Sequence, residues 1–288
     1  MSTAVILDSN CGWTRQEAKD YGIFILPMPF IIDGKEHLDG IDIGYKEFTK
    51  LQKEGSDIVT SQPSPESVME LWSDILKDYD EIVHIPMTSG LSGSCDTAMM
   101  LSHEDEFEGR VFVVDNKRIS VTQISAGLDA VGLIKKGINA AQIKKILEAD
   151  ASKSGIYISV SDIKYLKKGG RITPLAAALA SFLKIKPVLK LHEGKIDAYA
   201  KARTFKQAKQ IMLDAIKQDL KERMGDPTGK LCRMMIAQYD ALENAEEFAK
   251  ELEPEFGNIE IVNLSLSVAT HIGPGTVAIA AARKIDAS

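Results

Sequence analysis

Three unbroken apolar runs, each ending in a polar loop ahead of a helical pattern, constrain this chain more than any other feature. Ala4 to Leu7 ends at Asp8-Ser9. Ile82-Val83-His84-Ile85-Pro86 ends at Met87-Thr88-Ser89-Gly90-Leu91-Ser92-Gly93-Ser94. Val111 to Val114 ends at Asp115. Strands that are apolar at every position, rather than at alternate ones, are covered on both faces. Alternated with helices, they predict a parallel α/β sheet. Ligands of such sheets bind beyond the carboxyl ends of the strands.

The elements between these runs fit that plan. Thr14-x-x-Glu17 is a capping-box pattern that opens a short helix to about Tyr21, followed by a strand from Ile23 to Leu26. Phe30-Ile31-Ile32 and Asp33-Gly34 predict a hairpin returning through Lys35 to Leu38. Tyr45 to Lys53 reads as a helix and Thr60-Ser61-Gln62-Pro63 as a loop. Ser64-Pro65-Glu66 then supplies a cap, a proline at the first helical position and an early acid. The helix that follows has Val68, Leu71, Trp72, Ile75 and Leu76 on one face, which makes Trp72 a core residue. Helices are also expected over Ile124 to Lys136 and Ala141 to Leu147. Asp8-Ser9, Thr60-Ser61 and Thr88 to Ser94 are expected to meet at one sheet edge. At the last of these, backbone N–H groups, hydroxyls and a helix start make an anion site.

From about residue 153 the pattern changes. Ile156 to Val160 is a strand, and Asp162 to Lys168 is a short helix stopped by Gly169-Gly170. Leu175 to Leu183 is apolar nearly all round, so it is either buried or the wall of an apolar ligand site. Pro187 to Leu191 and Ile196 to Ala200 form a hairpin, and Thr204 to Arg223 a long helix. Cys232 to Gln238 and Ile259 to Leu264 are strands around a helix from Asn244 to Glu251. Ala269 to Gly275 reads as a loop and Val277 to Ala282 as a final strand. The expected architecture is α/β with a parallel-sheet, three-layer part over 1–152 and a mixed-sheet part over 153–288, with a ligand between them.

Composition excludes several function classes. A net charge of −6, with no basic run interleaved with aromatics, argues against nucleic acid as a partner. Cys11, Cys95 and Cys232 are far apart and lack metal-ligand spacing, which fits a reducing compartment and no metal site. No signal-peptide pattern or membrane-length apolar run is present, so a cytoplasmic protein with no integral membrane segment is expected.

Each chemical motif in the chain also has a plainer reading. Gly225-Asp226-Pro227-Thr228-Gly229-Lys230-Leu231 departs from a phosphate loop in glycine spacing and in Leu231, and is better read as a surface turn. Ser92 follows a strand as a hydrolase nucleophile does, but Ser94 stands where that elbow needs glycine. A serine esterase using Ser92, with His271 as base, therefore stays as an alternative. So does the plainer reading that the loop only turns the chain and caps a helix. His84 reads as a core histidine, and His37, His103 and His192 as surface residues.

Taken together the motifs resemble the DegV family, the fatty-acid-binding B subunit of bacterial fatty acid kinase. The resemblance rests on Asp8-Ser9, Thr60-Ser61-Gln62-Pro63-Ser64, Thr88-Ser89-Gly90-Leu91-Ser92-Gly93, Gly169-Gly170-Arg171-Ile172, Lys184 to Leu189 and His271-Ile272-Gly273-Pro274-Gly275, in the family's order. It departs at Ser94-Cys95, where the family often has Thr followed by an aromatic. The resemblance implies two α/β domains with a long-chain fatty acid between them and its carboxylate held by loop hydroxyls. Carried onto this sequence, the ligand-binding residues are Thr60, Ser61, Ser92, Gly93, His271 and Gly273. It further implies a non-catalytic subunit without a cofactor of its own, which presents the acid to an ATP-binding kinase subunit. Arg171 and Arg203 are candidates for contact with that partner or with the transferred phosphate. A free-standing fatty-acid carrier is the competing reading.

Overall fold

The computed structural model describes residues 2–178, 185–192 and 194–285. The first half runs β1 (Thr3–Asp8), α1 (Arg15–Asp20), β2 (Ile23–Leu26), β3 (Pro29–Ile32), β4 (Lys35–Leu38), α2 (Tyr45–Glu54), β5 (Ile58–Thr60), α3 (Pro65–Ile75), β6 (Glu81–Ile85), α4 (Ser94–Leu101), β7 (Val111–Val113), α5 (Val121–Lys135) and α6 (Ala140–Ala149). The second half runs β8 (Ser154–Ser159), α7 (Lys164–Gly169), α8 (Pro174–Ala178), β9 (Lys186–His192), β10 (Lys195–Ala202), α9 (Phe205–Glu222), β11 (Cys232–Tyr239), α10 (Leu242–Phe256), β12 (Glu260–Asn263), α11 (Leu266–Ile272) and β13 (Thr276–Arg283).

The fold class read from the sequence is borne out. The first half holds a parallel sheet of order β2-β1-β6-β7, in which Leu7 pairs with both Ile25 and Ile85. Its strands are buried at successive positions, as double cover requires. The second half holds a mixed sheet of order β10-β9-β8-β13-β11-β12, antiparallel except for the β11–β12 pair. The expected β3–β4 hairpin forms, and β5 joins it as a third antiparallel strand. β5 is unannounced in the sequence because it is three residues long with Val59 exposed, so no apolar run marks it.

One helix joins the two sheets. α5 is buried on nearly every side and packs on β1 and β6 as well as on β8, β11 and β13. Gly127 permits its close approach to β1, since a Cβ there would lie 3.0 Å from Leu7 Cδ1. The main apolar cluster accordingly mixes the halves, with Leu7, Val83 and Ile124 in the same group as Ile156 and Ala278. Trp72 sits fully buried in a second cluster beneath β6, as its helical spacing predicts.

Three local expectations need correction. The stretch before Gly273 is not a loop: α11 runs through His271, capped by Ser265 Oγ accepting from the Val268 N–H. α10 extends well beyond Glu251, to Phe256, with Pro254 inside its last turn. Of the apolar stretch Leu175 to Leu183, residues 179–183 lie outside the described residues. Within α8, Ala176 is buried but Leu175 is 65% exposed, so Leu175 turns to solvent. Gly225 to Lys230 is a turn tied by Asp226, which accepts from Thr228 Oγ1 and from the Leu231 N–H. Among the described residues no helix is long and apolar enough to cross a membrane.

Candidate functional site

The ends of β1, β5 and β6 converge on a cavity of about 180 Å³ that is closed from the other side by α7, β10 and α11. Its apolar wall includes Met28, Met87, Leu91, Ile119, Leu166 and Ile196. Its polar wall gathers Thr60, Ser61, Gln62, Ser92, Gly93 and His271, with Arg171 at the same cavity. The expected meeting of three loops at one sheet edge is met in part: Thr60-Ser61 and Leu91 to Gly93 share the cavity, Asn10 lines it in place of Asp8-Ser9, and β5 belongs to the separate β4-β3-β5 sheet.

Thr60 ends β5, and its Oγ1 lies 2.7 Å from His271 Nε2. His271 occupies the last turn of α11. A Cβ on Gly169 would stand 2.1 Å from His271 Nδ1, so only glycine leaves room for the ring there. Burial, with a smaller contribution from the Arg171 charge, drives the His271 pKa down to about 4, and the imidazole is neutral near pH 7. Nδ1 is buried, with no hydrogen-bond partner among the described residues. If Nε2 carries the proton it donates to Thr60, and the Thr60 hydroxyl hydrogen is free to donate to an anion. In the other tautomer Thr60 spends that hydrogen on the ring.

The loop after β6 divides its hydroxyls between structure and cavity. Ser89 Oγ donates to Asp115 at 2.5 Å, and Thr88 Oγ1 accepts the Gly90 N–H at 3.2 Å. Ser92 Oγ accepts the Ser94 N–H at 3.2 Å, which helps to start α4. An acceptor role leaves its own hydrogen available at the cavity. Gly93 lies close to Gln62, whose Oε1 would be 2.9 Å from a Cβ at that position. With Nε2 of His271 turned to Thr60, the histidine is not paired with Ser92 as a nucleophile's base would be.

Two residues proposed from the sequence stand elsewhere. Gly273 does not line the cavity: it ends α11 at φ +77°, packed where a Cβ would strike the Tyr165 ring. Its part is to release the helix and let Tyr165 approach. Arg203 is exposed at the entry to α9, with its N–H donated to Gln207 Oε1 at 2.9 Å. Arg171 does reach the cavity, with Nη1 donating to the Gly169 carbonyl at 2.5 Å.

A polar network behind the cavity carries no local sequence signal. Asp39 is buried and accepts from Ser9 Oγ, from Ser267 Oγ and from the backbone of Leu266 and Ser267. Burial raises its pKa, and these donors work in the opposite direction. Ser267 also accepts from Asn10 Nδ2 at 2.8 Å, and both residues line the cavity. Asp39 would have been singled out only by knowing that a β4 end and an α11 start meet. Among the described residues no cluster of His, Cys, Asp or Glu is arranged to hold a metal ion.

Comparison with known proteins gives one consistent answer. The family model described as "Uncharacterised protein, DegV family" matches residues 2–284. A DegV domain-containing protein of Caldanaerobacter subterraneus is 29% identical over 281 residues, covering 94% of this chain and 95% of that one. A fatty-acid-binding DegV family protein from Thermus thermophilus superposes with a TM-score of 0.89 at 26% identity, over 98% of this chain and all of the other (100%). A protein from Eubacterium ventriosum described as fatty-acid (stearic acid) binding gives a TM-score of 0.87 at 26% identity, over 98% of each chain.

Proposed function

Because the chain belongs to the DegV family, we propose that it binds a long-chain fatty acid and presents the carboxylate to an ATP-dependent kinase subunit for acyl-phosphate formation. The observation that carries the reading is the pairing of Thr60 with His271 at the polar end of a mostly apolar cavity. An isolated carboxylate out of water is costly unless hydrogen-bonded. With the proton on His271 Nε2, Thr60 and Ser92 each offer a hydroxyl hydrogen, and Ser61 and Gly93 stand beside them. Neutral His271 orients Thr60 without adding charge. The tail supplies the affinity: about fifteen methylenes at ~0.8 kcal/mol each give roughly 12 kcal/mol of gross burial, less the ordering terms. The head-group contacts select a carboxylate and fix where it sits.

On this reading the chain performs no chemistry alone. Arg171 lies where it can steady charge on a transferred phosphate; Arg203, exposed and not among the lining residues, is retained as a partner contact. The same reading divides the chain into 1–152 and 153–288, which is supported by the separate sheets of the two halves, with α5 of the first part seated on the sheet of the second.

The test is to denature the purified protein and identify extracted lipid by mass spectrometry. A fatty acid is expected. Its absence, together with failure to bind added oleate or palmitate, would sink the proposal. Adding a kinase subunit and ATP separates presentation from simple carriage, because only presentation yields acyl phosphate. A serine-reactive phosphonate that labels Ser92 would favour an esterase instead.

A further inference from the structure

The cavity contains a second polar position that the carboxylate does not need. Asn10 is 3% exposed and lines the cavity, and among the described residues its Oδ1 has no hydrogen-bond partner. The orientation of its amide follows from its neighbours. Four donors converge on the two oxygens of Asp39, one of them Ser267 Oγ at 3.0 Å. Ser267 has a single hydroxyl hydrogen, for which Asp39 and Ser265 Oγ, each 3.0 Å away, are both placed, so none is left for Asn10. It must therefore accept from Asn10, so the amide nitrogen faces Ser267 and the oxygen is left open. Asp39 and Ser265 thus determine, through Ser267, that an acceptor and not a donor is presented.

An open acceptor at an apolar wall is a penalty for a plain hydrocarbon chain and an asset for a chain that carries a donor. Ser267 and His271 are four residues apart in α11, about one turn or ~6 Å along the axis. Ser267, Val268, His271 and Ile272 all line the cavity, so it follows this face of the helix. At the advance of an extended chain, ~6 Å is about five bonds. We propose that Asn10 is a specificity-determining residue that accepts a hydrogen bond from a hydroxyl borne by the acyl chain about five bonds from its carboxylate, so that hydroxylated fatty acids are preferred ligands. This rests on the fatty-acid reading above and names the ligand class within it.

The test compares palmitate with its 2-, 6- and 12-hydroxy derivatives by direct binding to the full chain. Comparing positional isomers holds the solvation of the hydroxyl constant. The 6-hydroxy acid is expected to bind roughly tenfold tighter than the 12-hydroxy acid, the effect of satisfying one buried acceptor. In Asn10→Leu that preference disappears while palmitate binding is kept or improved. Equal binding of the isomers by the unaltered protein, or a preference that survives Asn10→Leu, overturns the inference. The first comparison needs no variant and stands even if Asn10→Leu fails to fold. If palmitate binds without isomer preference, only this inference falls; if palmitate and every derivative fail to bind, the fatty-acid reading falls with it.

Discussion

Thr60 and His271 are 211 residues apart in the chain and 2.7 Å apart in space. Each residue alone is ordinary, a threonine at a strand end and a histidine in a last helical turn. Their contact exists because β5 docks beside α11, and it joins the two halves of the chain at the cavity's polar end.

Replacing either cavity hydroxyl should separate binding from presentation. Thr60→Ala or Ser92→Ala removes one hydrogen bond to a charged group, worth about 1.5–3 kcal/mol, while tail burial is untouched. Acyl-phosphate formation with a kinase subunit should fall by about tenfold or more, and equilibrium binding of palmitate by less. Normal phosphorylation of either variant would show that the head group is held elsewhere.

The buried histidine sets a pH dependence of stability. His271 has its pKa lowered from 6.5 to about 4 in the folded state, so the unfolded chain binds the proton more readily. Its contribution is fully present above pH 6.5 and is lost as pH falls from there toward 4. Urea unfolding at pH 7 and pH 5 should show a drop on the order of 1–2 kcal/mol that His271→Gln reduces. An identical drop in the variant would refute the assignment.

Gly169→Ala tests the packing of the same ring. The new methyl would stand 2.1 Å from His271 Nδ1, so the ring or α7 must move. Overpacking of this kind costs about 1–3 kcal/mol. A lowered Tm together with weakened acyl-phosphate formation is expected. A Tm equal to that of the unaltered protein would mean that the ring is not confined.

The contact of α5 with the second sheet includes a buried ion pair. Arg233 Nη1 donates to Asp129 Oδ1 at 2.6 Å, and the Asp129 side chain is 1% exposed. Arg233→Ala should destabilise by about 3–5 kcal/mol, because it strands a buried carboxylate. Adding Asp129→Ala should restore part of that loss in chemical denaturation, whereas additive losses would argue against coupling.

The sequence made some of this plain and hid the rest for physical reasons. Doubly covered strands write themselves as continuous apolar runs, so β1, β6 and β7 were legible, as was the α3 cap at Ser64. The cavity hydroxyls Thr60 and Ser92 sit in loops whose composition marks them. β5 is invisible because three residues, of which only Ile58 is buried, carry no period. Asp39 and Asn10 were missed because their burial is created by chain segments more than 200 residues away, at Leu266 and Ser267. Arg203 was singled out by charge alone, and charge alone says nothing about distance from a cavity.

The position of α5 has a mechanical consequence. A helix whose buried residues serve two sheets at once acts as a common spine for both. Separating the sheets would leave α5 on one of them and bare the apolar face it turns to the other. The strands on either side are therefore tied through one shared helix, and parting them to open the cavity would cost the apolar contacts that α5 makes with one of the sheets.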